Sequence, residues 1–189
     1  MSTERLFAPA PARIYAPMRA PILLLALLAT PILAPVATRA APPASPNGPK
    51  AIGVFDDWQA ATYAEGGQTV CYAFTRPKSS APAVPGRGPV LLTVTQRATL
   101  RDAISLGAGF AYPAKAEVKV NADATELDFY TAQRSAFARD GHAAVAAFQK
   151  AGQAVAHSPE AKSKDVVDTF SLRGFSAAYA AISKACPPK

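Results

Sequence analysis

The sequence predicts a mainly β domain, a β-sandwich with two short helices. Three observations point there. Short apolar or alternating runs recur at intervals of about ten residues, clusters of Gly, Pro, Asn and Asp separate them, and only two Ala-rich stretches change to a helical apolar period.

Taken in order, residues 51–55, 58–63, 69–75, 89–96 and 102–107 read as strands. In the third of these, Val70, Tyr72 and Phe74 fall on one face and Cys71 and Ala73 on the other, which suits a strand covered on both sides. Glu65-Gly66-Gly67 supplies a hairpin turn. Residues 76–89, with Pro77, Pro82, Pro85, Gly86 and Gly88, read as a long irregular surface loop. Residues 117–121 alternate at period two, and 127–130 leads towards 135–138, so two more strands are expected to pair there. The period then changes: in 140–150, Ala144, Val145 and Phe148 share a helix face, with Asp140 as N-cap and Gly152 near the end. Residues 153–157 return to an extended pattern, a turn follows at 158–164, and 166–172 forms a strand. In 174–184, Phe175, Ala178, Tyr179 and Ile182 recur at helical spacing, giving a second helix whose apolar face docks on the sheets.

The front end lies outside this fold. An Arg-bearing segment runs into the apolar residues 21–30 and then into small residues ending at Thr38-Arg39-Ala40, the layout of a secretory signal peptide over residues 1–40. Pro31 and Pro35 interrupt the apolar run, so cleavage is expected rather than a stable transmembrane anchor. Met18-Arg19-Ala20 already begins a compact signal, which makes Met18 the expected true start; a prefix with Arg5 and Arg13 acting as an extended n-region is the alternative. Residues 41–49 form a Pro-rich leader with nothing to bury, and a single domain spans 50–189. The location that follows is periplasmic or secreted.

Removing residues 1–40 lowers the formal charge from +7 to +4, with 16 basic against 12 acidic residues. Arg76, Lys78, Arg87, Arg97, Arg101, Lys115, Lys119, Arg134 and Arg139 are scattered singly, which reads as solvated surface rather than a nucleic-acid stripe. Two cysteines occur, Cys71 and Cys186. In an oxidising compartment an even pair reads first as a disulfide, which here would tie an early strand to the C-terminal end; two free thiols are the other reading.

Phe55-Asp56-Asp57-Trp58, the Cys71-Tyr72 strand, and residues 169–178 (Thr-Phe-Ser-Leu-Arg-Gly-Phe-Ser-Ala-Ala) followed by a C-terminal Cys-Pro resemble the invasion-associated locus B proteins. The likeness spans roughly Ile52 to Pro187. It implies an immunoglobulin-like β-sandwich, secreted or periplasmic, named for an association with host-cell invasion and without a known enzymatic activity. Relatives of this kind often carry a further cysteine shortly after the early tryptophan. Thr62 occupies that neighbourhood here, so no disulfide pairing carries over.

Constellations that would carry chemistry are weak. His142 and His157 form no metal-ligand spacing, and neither cysteine belongs to a C-x-x-C pair, so no metal site and no cofactor are expected. Arg173-Gly-Phe-Ser176-Ala lacks the second glycine of a nucleophile elbow. Asp56 and Asp57 are adjacent, so on a strand they would point apart, and they read as local turn and strand-edge hydrogen bonders beside Trp58; Glu126 and Asp128 could share a face, which solvent-facing alternation explains. Gly86-Arg-Gly88 and Gly107-Ala-Gly109 lack the Gly-Lys-Ser/Thr end of a phosphate loop. Of the aromatics Trp58, Tyr63, Tyr72, Phe74, Phe110, Tyr112, Phe129 and Tyr130, most are expected in the core, with an exposed binding platform as the alternative. The expectation is an exported, non-enzymatic interaction protein whose partner is an unidentified protein or envelope component. A small periplasmic ligand or glycan binder, or a hydrolase, is the alternative.

Overall fold

A computed structural model describes residues 48–161 and 165–188. The expected signal peptide and most of the Pro-rich leader fall outside the described residues. Eleven strands and two helices follow in order: β1 Lys50–Phe55, β2 Trp58–Glu65, β3 Gln68–Thr75, β4 Ser79–Ala81, β5 Leu91–Gln96, β6 Ala103–Gly107, β7 Glu117–Ala122, β8 Thr125–Ala132, β9 Ser135–Ala138, α1 Gly141–Phe148, β10 Gln153–Ser158, β11 Val166–Ser171 and α2 Phe175–Ala185. The protein is mainly β, as predicted.

All strand pairs are antiparallel and join into one sheet in the order β1-β2-β3-β5-β6-β9-β8-β7-β10-β11-β4. The sandwich-like arrangement arises because this sheet folds over on itself. Strands β2 and β11 are far apart in the order, yet the Trp58 indole Nε1 donates to the Ser171 carbonyl at 3.0 Å, and Asp57 N donates to Arg173 O. Register sets which residues face inward. Leu92 and Val94 on β5 lie opposite Leu106 and Ile104 on β6, while Val118 and Val120 on β7 lie opposite Phe129 and Leu127 on β8; all belong to one buried cluster. Period-two alternation thus places one side of every central strand in the core.

Helix α2 lies against β1, β2 and β3 and buries Phe175, Ala178 and Ile182. Phe175 meets the fully buried Trp58 edge-on at 5.0 Å and Phe148 of α1 at 5.5 Å, so α2 covers Trp58 and the two helices meet through Phe175. Two local features start the helices. The Asp140 carboxylate accepts from Ala143 N at 2.9 Å, the N-cap read from the sequence. Gly174 sits at φ +85°, and a Cβ there would come within 1.9 Å of Phe55 O, so only glycine permits the β1–β2 turn to press on the start of α2.

Three sequence expectations need correction. The 76–89 segment is not wholly irregular: β4 forms inside it and pairs with β11. Three strands, not two, occupy 117–138, since β9 is distinct and links β8 to β6 across the fold of the sheet. Arg87 is not solvated surface. Its guanidinium grips the fully buried Asp168 with Nη1–Oδ1 2.9 Å and Nη2–Oδ2 2.6 Å. Ser80 Oγ donates to the same carboxylate, and Arg87 Nε donates to Ala108 O, so a bidentate, hydrogen-bonded pair pins the long loop to β11.

Candidate functional site

The inner faces of β3, β5, β6, β9 and β8 make core, which leaves their outer faces to define a surface. One cross-strand row on that surface reads Phe74, Thr93, Ser105, Phe137, Tyr130. Aromatic rings bound it on both sides. Tyr72 and Phe74 stack at 5.9 Å on one bank, and Tyr130 and Phe137 stack at 5.6 Å on the other. Small residues form the floor. The two banks stand three strand spacings apart, about 14 Å.

At the end of this trough nearest α1 lies a groove of about 670 Å³ whose lining includes Thr95, Ser105, Leu100, Tyr130 and Phe137. Leu100 is 52% exposed and Tyr130 is 45% exposed, so the groove presents apolar surface to water. Three arginines line it. Arg97 holds Glu65 through Nε at 3.1 Å and Nη2 at 2.9 Å. Arg139 pairs with Glu117 at 2.6 Å and lies over the Tyr130 ring at 5.9 Å. Arg101 donates to the Cys186 carbonyl at 2.5 Å and to Arg97 O. Residues scattered along the chain thus gather into an arginine-rich, aromatic-walled groove, which Asp102 and His142 also line.

A polar cluster braces the groove from below. Gln96 is fully buried in phase with Leu92 and Val94; its Nε2 donates to Asp102 Oδ1, and its Oε1 accepts from Asp102 N. Tyr179 OH of α2 donates to the same oxygen at 2.7 Å, and His142 Nδ1 of α1 lies 3.3 Å from the other. Partial burial pushes the Asp102 carboxyl up, but the hydrogen bonds from Tyr179, Gln96 and His142 outweigh it and hold it below its ordinary value. Burial, reinforced by Asp102, pushes the Tyr179 phenol up. This carboxylate therefore joins the β5–β6 connection to both helices.

The cysteines meet beside this cluster. Cys71 on β3, opposite Gln96 on β5, is disulfide-bonded to Cys186 just beyond α2, with Cα atoms 5.9 Å apart. Thr62 of β2 pairs with Cys71 across the strands.

The remaining sequence candidates are dispersed. Asp56 and Asp57 form the β1–β2 turn, where Lys78 binds Asp57 and lowers its pKa. Glu126 and Asp128 do share a face of β8, and Lys119 bridges both, which raises the lysine pKa and lowers that of Asp128. His142 is exposed at the start of α1, His157 lies on β10 opposite Lys119, and Ser176 is exposed on α2. Among the described residues no three His, Cys, Asp or Glu side chains are grouped to hold a metal. Gly109 makes a close backbone approach to Gly88 rather than a phosphate loop.

Half of the named aromatics are core, namely Trp58, Phe110, Tyr112 and Phe129, whereas Tyr63, Tyr72, Phe74 and Tyr130 face outward. A second recess, of about 440 Å³, abuts residues 83–87 and Phe110, but its arginines are engaged internally, Arg87 by Asp168 and Arg134 by Gly109 O.

Comparison with known proteins gives one positive result. The family model described as invasion associated locus B (IalB) protein matches residues 58–183, which covers the chain from Trp58 at the head of β2 to the last turn of α2. Searches of curated proteins and of solved structures returned no match. With the buried tryptophan and most of α2 inside the matched span, the chain belongs to the invasion associated locus B family.

Proposed function

We propose that this protein is exported, loses residues 1–40 as a signal peptide, and acts in the bacterial envelope or outside the cell as a non-enzymatic interaction protein. The observation that carries the reading is the outer-face groove, where Tyr130 and Leu100 are exposed between three arginines. Exposed aromatic and arginine side chains are the residue types that dominate protein–protein contacts. The Cys71–Cys186 bond suits an oxidising compartment. Among the described residues no helix is long and apolar enough to cross a membrane. The family name adds an association with invasion and nothing about chemistry.

The test is to immobilise the purified protein, challenge it with envelope and culture-medium fractions, and identify retained molecules by mass spectrometry. A specific protein retained in a salt-dependent way is expected. Retention of nothing, with the chain running as a clean monomer, would remove the interaction reading. In parallel, the N-terminus of the exported protein is expected at Ala41, and recovery of an intact N-terminus would refute the cleavage.

A further inference from the structure

We propose that the groove over β5, β6 and β9 receives an extended acidic segment of a partner protein, in which an apolar side chain is flanked by carboxylates. This rests on the interaction reading above and names its partner chemistry.

The first argument is charge complementarity. Arg97 and Arg139 each already hold a carboxylate, from Glu65 and Glu117, so their guanidinium groups are oriented for carboxylate oxygens. Both pairs are exposed, and exposed ion pairs are weak, so an incoming carboxylate exchanges for the resident one at little cost. Among the described residues Arg101 hydrogen-bonds the carbonyl oxygens of Arg97 and Cys186 and no carboxylate, so its charge is open to a ligand anion.

The second argument is shape and polarity. The floor of Thr95, Ala103 and Ser105 is small, and the Tyr130–Phe137 stack and Leu100 stand above it, so one chain in extended conformation fits along the trough. Side chains of an extended segment alternate at period two. Placing an apolar one against Tyr130 therefore sends its neighbours towards solvent, and carboxylates two residues away return to the arginines. The groove lies on a sheet face, where the backbone groups are used by strand pairing. Side chains, not strand addition, must then supply recognition, which makes the charge pattern of the partner decisive.

The experiment uses the purified chain and two labelled peptides, one carrying a Leu or Phe with Asp or Glu two residues to either side and Ser or Thr between, the other carrying Lys in place of each acid, read by fluorescence anisotropy. The acidic peptide is expected to bind about tenfold or more tightly than its lysine counterpart, and less tightly as salt rises. Arg101→Glu, and separately the exposed Arg139→Glu, should each weaken it about tenfold or more, while Arg173→Ala in the β11–α2 connection, outside the groove lining, leaves it unchanged. Two substitutions are needed because Arg101 also bonds the Cys186 carbonyl, and unfolding by circular dichroism checks each. Equal affinity for both peptides, or binding unaffected by Arg139→Glu in a folded chain, would overturn the proposal. So would binding of heparin, an anionic polysaccharide, without binding of the acidic peptide. If envelope partners are retained equally by the native and Arg139→Glu chains, the groove is wrong and the interaction reading stands; if neither retains any, the interaction reading itself fails.

Discussion

Breaking the Cys71–Cys186 bond frees two positions 115 residues apart and returns to the unfolded chain the freedom the link removes. For a loop of that length the chain-entropy relation gives about 16 cal/mol/K, or about 5 kcal/mol near room temperature. A domain of roughly 140 residues has an unfolding entropy near 0.3 kcal/mol/K at its midpoint, so the melting temperature should fall by about 15 °C. The effect should reside mostly in the unfolded state, because α2 remains docked through Phe175, Ala178 and Ile182. The assay is thermal and urea unfolding of the oxidised protein, of the same protein held in reductant, and of a Cys71→Ala/Cys186→Ala variant. Thiol titration in denaturant without reductant fixes the starting state. A drop under about 1 kcal/mol, or two reactive thiols in the untreated chain, would refute the reasoning.

Other outcomes follow from the buried polar groups. Arg87→Ala leaves the Asp168 carboxylate fully buried beside Ser80, which should cost about 3–5 kcal/mol in urea unfolding, whereas the exposed Arg173→Ala should cost under about 0.5. Burial pushes the Tyr112 phenol up to about 12, against Ser158 Oγ 3.1 Å away. Its folded pKa is above the unfolded one, so its contribution is whole below about pH 10 and is lost as pH rises towards 12. Stability should fall by up to about 2–3 kcal/mol across that window, followed by tyrosinate absorbance and chemical unfolding; Tyr112→Phe should remove that part of the alkaline slope.

What could be read from the sequence divides along physical lines. Strands such as β5 and β11, and both helices, announced themselves because one face is buried and the apolar period reports it. Asp140 was readable because a cap is a local interaction. Strand β4 was not readable: Ser79, Ser80 and Ala81 are all exposed, carry no alternation, and lie between prolines, so only their pairing with β11 makes them a strand. The Arg87–Asp168 pair spans 81 positions, and no local pattern encodes it. A signal did exist, because Asp168 stands in phase with the inward-facing Val166 and Phe170, and an acid in that phase demands a cation. Gln96 in phase with Leu92 and Val94 is the same signal for the Asp102 cluster. The groove was hidden for a different reason. Its arginines come from the β5–β6 connection and the end of β9, and scattered charge in sequence says nothing about charge gathered by folding.

The route taken by Trp58 has a consequence for the order in which the molecule can be made. This residue stands near the beginning of the domain, yet its indole hydrogen bond goes to Ser171 and its ring rests on Phe175. The neighbouring Cys71 likewise waits for Cys186. A chain emerging N-terminus first therefore holds its largest apolar side chain unsatisfied until Ser171 and Phe175 have been delivered. Early strands can pair in hairpins, but none of them can close. Long-range closure of this kind slows folding. It also makes α2 a checkpoint, since a product truncated before α2 leaves Trp58 without the Phe175 ring that covers it.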